Sequence, residues 1–312
     1  MTEEYEIVVI GAGIAGLSAG LTGARLARST LVITGDALGG QLLNIEKIDG
    51  YPGYTDGIAG YDLCPIVQEQ AAAAGAAFAM TKLTGLERNG QAWQVSTPDK
   101  HYTARSIILA TGTRLRELNI PGESSLRGKG VSQCASCDAP LLRNRPVVVA
   151  GGGDSALQEA LTLAEHCSSV TIVHRGASFT AQAAYTALAK AHPKISAHAD
   201  AEVTAILGED AVDAARIRHN GTGETSEFEC AAVFVFVGLQ ANTDFIDDNS
   251  ILDTQGLIIT DSAMRTRLDG LLAAGTVRSG NPGRAAAAAG DGTSAALAAD
   301  RYLADGQWDT GK

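Results

Sequence analysis

Short apolar runs alternate with glycine turns and helix-like stretches along this chain. Tyr5-Glu-Ile-Val-Val-Ile10 is β-branched and reads as a buried parallel strand. It enters Gly11-Ala-Gly-Ile-Ala-Gly16, residues 17–27 then have helical character, and Leu31-Val-Ile-Thr34 supplies the next strand. Arg105-Ser-Ile-Ile-Leu-Ala110 is another apolar strand and ends in Thr111-Gly112. The pattern then restarts. Pro146-Val-Val-Val-Ala150 predicts a strand, Gly151-Gly-Gly-Asp-Ser-Ala156 a glycine turn, 157–166 a helix and Val170-Thr-Ile-Val173 a strand. Val233-Phe-Val-Phe-Val237 closes this second unit, and Gly270-Leu-Leu-Ala-Ala-Gly275 reads as a late strand running into a turn. An Ala-rich helix over 284–303 is expected to be interrupted at Gly290-Asp-Gly292. The 40–60 and 200–230 stretches are mixed and predict no defined elements.

The two glycine turns stand 140 residues apart, too far for a solenoid repeat and suited to two separate domains. In each, a pyrophosphate sits on a helix N-terminus only if backbone N–H groups approach it without intervening side chains. Gly11, Gly13 and Gly16, with Ile14 and Ala15 between, meet that need directly after a strand and before a helix. Gly151, Gly153, Asp154, Ser155 and Ala156 repeat it, with Ala in the third slot. The expected fold is therefore α/β, with two Rossmann-like dinucleotide-binding domains, one inserted into the other. Residues 1–113 with 243–312 form the first, and 114–242 the second. After the first unit's second strand stands Thr34-Gly35, with Asp36 late for gripping a ribose diol. After the second unit's, His174 and Arg175 are placed as cations suited to a 2′-phosphate.

Composition narrows the function. There are 24 Lys and Arg against 35 Asp and Glu, a net charge of −11, which disfavours nucleic acid. No apolar run approaches the ~20 residues that span a bilayer. The opening Met1-Thr-Glu-Glu-Tyr5 lacks an export signal's basic lead and apolar stretch, so the expectation is a cytoplasmic chain without a membrane partner. Glycine is abundant, 36 of 312 residues, without a Gly-X-Y period.

Five cysteines exclude a secreted disulfide framework. Cys64, Cys167 and Cys230 read as core thiols, whereas Cys134-Ala-Ser-Cys137-Asp138 puts two thiols three residues apart beside a carboxylate. A redox disulfide is the favoured reading. Zinc would need two further ligands that the neighbourhood lacks, so no metal is expected, and a packed core pair is the remaining alternative. Asp138 is either an N-cap or a proton donor to a leaving thiolate, or both.

With two dinucleotide folds and this CxxC, the sequence closely resembles the low-molecular-weight thioredoxin reductases. The likeness runs end to end and includes Gly39-Gly-Gln-Leu42, Tyr51-Pro-Gly53, Ala110-Thr-Gly112, Ile120-Pro-Gly-Glu123, the CxxC and Gly290-Asp-Gly-Thr-Ser-Ala-Ala296. The resemblance implies FAD in the discontinuous domain, NADPH in the inserted one, a homodimer, and a thioredoxin-like partner. It implies flavin contacts at Gly40, Gln41, Thr111, Gly112, Gly275, Thr276, Arg284 and Ala285. It also implies that Cys137 faces the flavin, Cys134 attacks the substrate disulfide and Asp138 is the general acid. The inserted domain would swing about hinges near residues 113 and 242. Departures stand beside these matches. The family's His-Arg-Arg cluster, with a further Arg, reads His174-Arg175-Gly176 and Thr180 here. Its Gly-Asp at the ribityl chain reads Gly275-Thr276, its Arg-Gln pair reads Arg284-Ala285, and Ala139-Pro140 replaces the usual glycine after the redox motif. The eroded cation cluster motivates an alternative, a flavin-dependent dithiol oxidase of a small sulfur metabolite using oxygen, or a reductase fed by another donor. A flavin-bearing redox sensor without turnover is a third reading.

Overall fold

A computed structural model describes residues 2–308. In chain order the first part runs β1 (Thr2–Ile10), α1 (Ile14–Arg25), β2 (Thr30–Ile33), α2 (Gly60–Ala73), β3 (Ala77–Ala79), β4 (Gly85–Asn89), β5 (Ala92–Ser96) and β6 (His101–Leu109). Then come β7 (Thr113–Leu115), β8 (Val131–Ser132), α3 (Ala135–Asp138), β9 (Pro146–Ala150), α4 (Asp154–His166), β10 (Ser169–Val173), α5 (Ala183–Ala191) and β11 (Ile195–His198). The rest is β12 (Ala201–Leu207), β13 (Ala214–His219), β14 (Thr225–Glu229), β15 (Ala232–Val235), β16 (Leu239–Ala241), β17 (Leu271–Ala273) and α6 (Ala285–Asp305). The chain divides into two compact units, one of residues 1–114 with 240–312 and one of residues 115–239. The crossing strands β7 and β16 pair as a two-stranded ribbon.

The first unit is built on a sheet in the order β3-β2-β1-β6-β5-β4. Strands β1, β2, β3 and β6 are parallel neighbours, and their all-buried ends (Ile7–Ile10, Thr30–Ile33, Ser106–Leu109) are the apolar runs seen in the sequence. β6 forks: its first half pairs antiparallel with β5, and Ile107–Leu109 pair parallel with Leu271–Ala273 of β17. One face packs on α1 and α6 through Leu17, Ala19, Ala295, Ala296 and Ala299; the other, which carries Leu109, packs on Val277, Ile251 and Ile258.

α6 is continuous from Ala285 to Asp305, which corrects the expected break at Gly290-Asp-Gly292. Gly292 serves contact rather than interruption, because a Cβ there would lie 2.0 Å from the Ala15 carbonyl oxygen of α1. The two helices thus meet backbone to backbone, and the alanines around them keep the spacing short. That gain outweighs the cost of about 1 kcal/mol that a glycine carries inside a helix.

The second unit centres on the all-parallel sheet β11-β10-β9-β15-β8. Val147, Val149, Ile172 and Phe234 pack against α4 on one face, and Val148, Val233 and Val235 against Ile206 and Ile217 on the other. The 200–230 stretch, which the sequence left undefined, is the antiparallel sheet β12-β13-β14. No helix among the described residues is long and apolar enough to cross a membrane.

Candidate active site

The glycine turn of the first unit joins β1 to α1. Gly16 sits so close to Gly11 that a Cβ there would fall 1.8 Å from the Gly11 carbonyl oxygen, so the turn closes only with glycine. Gly13 is the opposite case: it is the N-cap of a twelve-residue helix, makes no side-chain cap, and a Cβ there would meet nothing within 4 Å. An uncapped helix N-terminus with an open approach fits a pyrophosphate. Ile14 and Ala15 are buried, and Ala15 packs toward Gly275, so their side chains belong to the core beneath the turn.

Several of the other expected cofactor residues of this unit adjoin one another. Gly39 donates its N–H to the Ala12 carbonyl at 2.8 Å, which lays Gly40 beside Gly13. Gln41 Nε2 donates to the Thr113 carbonyl at 2.9 Å, the Thr113 and Thr276 hydroxyls are 3.3 Å apart, and Gly112 adjoins Thr276. The Thr111 hydroxyl donates to the Asn242 carbonyl at 2.8 Å. Arg284 is the N-cap residue of α6 and Ala285 its first residue.

Sequence reasoning missed what fixes the Gly275 loop. The buried Asp291 carboxylate accepts from the Gly275 N–H (3.2 Å), Arg278 Nε (3.0 Å) and Nη2 (3.1 Å), and Asn281 Nδ2 (2.7 Å). The Gly275-Thr276 turn therefore offers a Thr276 hydroxyl, and the Asp291 carboxylate that holds it is already committed. Asp36 pairs with Lys82 at 2.7 Å, both exposed.

In the second unit, Gly153 is the N-cap of the thirteen-residue α4, again without a side-chain cap. Ser155 is exposed in the first turn and Ala156 is buried beneath it. Asp154 is turned aside: its carboxylate accepts from the Gln182 N–H at 2.7 Å and from Gln182 Nε2 at 3.3 Å. This turn also fits a dinucleotide pyrophosphate. The expected cation at His174 needs correcting. Its ring is 7% exposed, lies 4.6 Å from the Phe179 ring, and keeps a buried Nδ1 with no hydrogen-bond partner. Burial holds its pKa below the ordinary 6.5, so near neutrality it is an uncharged imidazole. Arg175 is exposed, and Thr180 lies over the turn, its N–H on the Gly152 carbonyl at 2.9 Å.

The redox turn lies in the same unit. Cys134 and Cys137 are joined by a disulfide, with Cys134 half-buried and Cys137 exposed, so the packed-core-pair alternative fails. Cys134 is the N-cap residue of α3; its N–H donates to Ser132 Oγ at 3.1 Å and its Sγ lies 3.6 Å from Ser136 Oγ. The Ala135 N–H donates to Glu159 Oε2 of α4 at 2.8 Å. Asp138 is half-buried, ends α3 and makes no side-chain cap to the following turn, which leaves the proton-donor reading as the one to carry forward.

The remaining thiols are inert by position. Burial pushes Cys64 up to about 11 and Cys230 up to about 12, and raises Cys167 as well. Among the described residues no three His, Cys, Asp or Glu gather as a metal site.

Two dinucleotide turns on separate sheets, with a partly exposed disulfide ahead of one of them, are the arrangement of a nucleotide-linked disulfide oxidoreductase. The pyridine nucleotide-disulphide oxidoreductase model matches residues 5–292. The chain is 40% identical to the thioredoxin reductase of Treponema pallidum over 303 residues, which is 97% of this chain and 98% of that one. It is 35% identical to that of Mycolicibacterium smegmatis, over 96% of this chain and 97% of the other. The structure of Lactococcus lactis thioredoxin reductase superposes with a TM-score of 0.94 at 37% identity, covering 96% of this chain and 99% of that chain. The chain belongs to the thioredoxin reductase branch of the pyridine nucleotide-disulphide oxidoreductase family. It is an oxidoreductase, and its cofactors are FAD and NADPH.

Proposed function

We propose that this chain reduces the disulfide of a thioredoxin-like protein, with FAD held in the discontinuous unit and NADPH in the inserted one. Gly13, Gly40, Gln41, Gly112 and Thr276 would hold the flavin, and Gly153, Ser155 and Arg175 the nicotinamide dinucleotide. When bound, the two cofactors supply the electron pair that the Cys134–Cys137 bond consumes. Opening that bond takes up two electrons and two protons and leaves two thiols. The observation that carries the reading is the Cys134–Cys137 disulfide with Cys137 exposed.

The resemblance implies that Cys134 attacks the partner; because Cys137 is the more exposed of the two residues, we propose instead that Cys137 is the sulfur that a folded partner meets. Its thiolate attacks the partner disulfide, forming a mixed disulfide and expelling one partner thiolate. Asp138, next in the chain, is placed to give that leaving group its proton. Cys134, steadied by Ser132 and by the Ala135–Glu159 bond, then displaces the partner's second sulfur and closes the 134–137 bond again. We further propose a homodimer, on the resemblance, and a cytoplasmic setting, which suits three free thiols beside a disulfide-reducing pair.

The test is anaerobic addition of NADPH to the flavin-loaded protein, followed by a thioredoxin. Loss of the flavin band and appearance of thioredoxin thiols is the expected result. Cys134→Ser is expected to accumulate a mixed disulfide at Cys137, and Cys137→Ser none. Absence of thioredoxin reduction, with oxygen uptake on a small dithiol instead, overturns the reading.

A further inference from the structure

The bond between α4 and the redox turn has a consequence for the chemistry of the pair. Glu159 projects from the helix whose N-terminus forms the second glycine turn, and its Oε2 takes the amide of Ala135, the first residue after Cys134. Ala135 and Ala139 are buried against Ala156, Leu157 and Ala160, so the turn is seated on α4 with little freedom to move. The carboxylate thus ties down the amide that follows Cys134 and brings an acidic side chain to the redox turn.

Other charged groups on the packed elements are Asp138 on α3, Arg143 after the short turn 139–142, and Asp154, Glu165 and His166 along α4. Asp154 faces Gln182, and Glu165 and His166 lie in the last turn of α4, more than a helical turn beyond Glu159.

We propose that Glu159 is a positioning residue that holds the Cys134–Cys137 turn and, through its charge, favours the disulfide over the dithiol, making the dithiol a stronger reductant. The balance is simple: the oxidised pair is neutral, whereas the reduced pair, having taken up two electrons and one proton, carries one thiolate charge between Cys134 and Cys137. A like charge on the carboxylate bonded to the Ala135 amide opposes only the reduced, ionised form of the adjoining pair. The inference rests on the pair being redox-active, as proposed above.

The test uses flavin-loaded protein equilibrated anaerobically with dithiothreitol and its disulfide, quenched with acid, alkylated and weighed as peptides. Glu159→Gln keeps an oxygen for the Ala135 N–H and removes the charge. It is expected to make the pair about tenfold easier to reduce, which is about 30 mV for a two-electron couple. In a Cys137→Ser background it is expected to move the pH midpoint of Cys134 alkylation down by about one unit. Glu159→Ala, which loses bond and charge together, moves both readouts the same way. Coincidence of both variants with the wild type overturns the inference while leaving the redox pair intact. A wild-type pair that never reduces overturns both.

Discussion

Arginine introduced at positions 176 and 180 together tests how this chain holds the 2′-phosphate that separates NADPH from NADH. With His174 buried and uncharged, Arg175 is the exposed cation at the end of β10. The backbone accepts the change: Gly176 is outside the left-handed region, and the nearest atom to a Cβ there is the Ser178 carbonyl oxygen at 3.4 Å. Thr180 is exposed, and its main-chain bond to Gly152 survives any side chain. Each new guanidinium at a solvated site contributes about 1 kcal/mol toward a phosphate dianion. Two contribute about 2 kcal/mol, or about 30-fold in Kd. Calorimetric titration of oxidised protein with NADP+ and with NAD+ reads this without turnover. The expected outcome is a gain of about 30-fold for NADP+, shrinking as salt is raised, with NAD+ unchanged. Equal gains for both nucleotides, or none for NADP+, would refute the placement of the phosphate beside these residues.

Two more outcomes follow from the same coordinates. Gly13→Val is expected to fold with the melting temperature of flavin-free wild type but to lose its yellow colour, because the new side chain enters open space over the helix end. Gly16→Val drives backbone against backbone and is expected to fail to fold; circular dichroism and the 450 nm to 280 nm absorbance ratio separate the two, and full flavin in Gly13→Val would sink the assignment. Stability should also depend on pH through the inserted unit, since burial lowers the pKa of His174 and, aided by His219, of His198. Above about pH 6.5 both states are neutral at these rings and full stability is present. As pH falls below that, the unfolded chain takes protons that the folded one refuses, a loss of up to about 1.4 kcal/mol per unit for each ring. Urea midpoints at about pH 7.5 and about 5.5 check this, and His174→Asn should narrow the gap; identical midpoints in the wild type would contradict it.

The strands around both glycine turns were legible because a parallel strand buried on both faces is apolar at every position, as Val147 to Val149 show. The β4–β5 hairpin and the β12–β14 sheet were not, since their outward faces carry Glu87, Arg88, Arg216 and Glu227 and the alternation is short. The cysteine spacing announced the redox turn directly. Glu159 gave no such notice, because a glutamate on an amphipathic helix looks like any solvated one until the fold brings Ala135 to it. His174 misled for the converse reason: its neighbour Arg175 is exposed, and only the packing against Phe179 and Gly152 shows that the imidazole turns inward.

The seat of α6 on α1 has a bearing on how the molecule is made. Residues 115–239 are contiguous, so that unit has everything it requires as soon as its own stretch leaves the ribosome. Its host cannot finish by then, because the helix that covers α1 and the strand that completes β6 are translated only after it. Nascent chains halted before residue 271 should therefore hold a protease-resistant inner body flanked by a cleavable beginning.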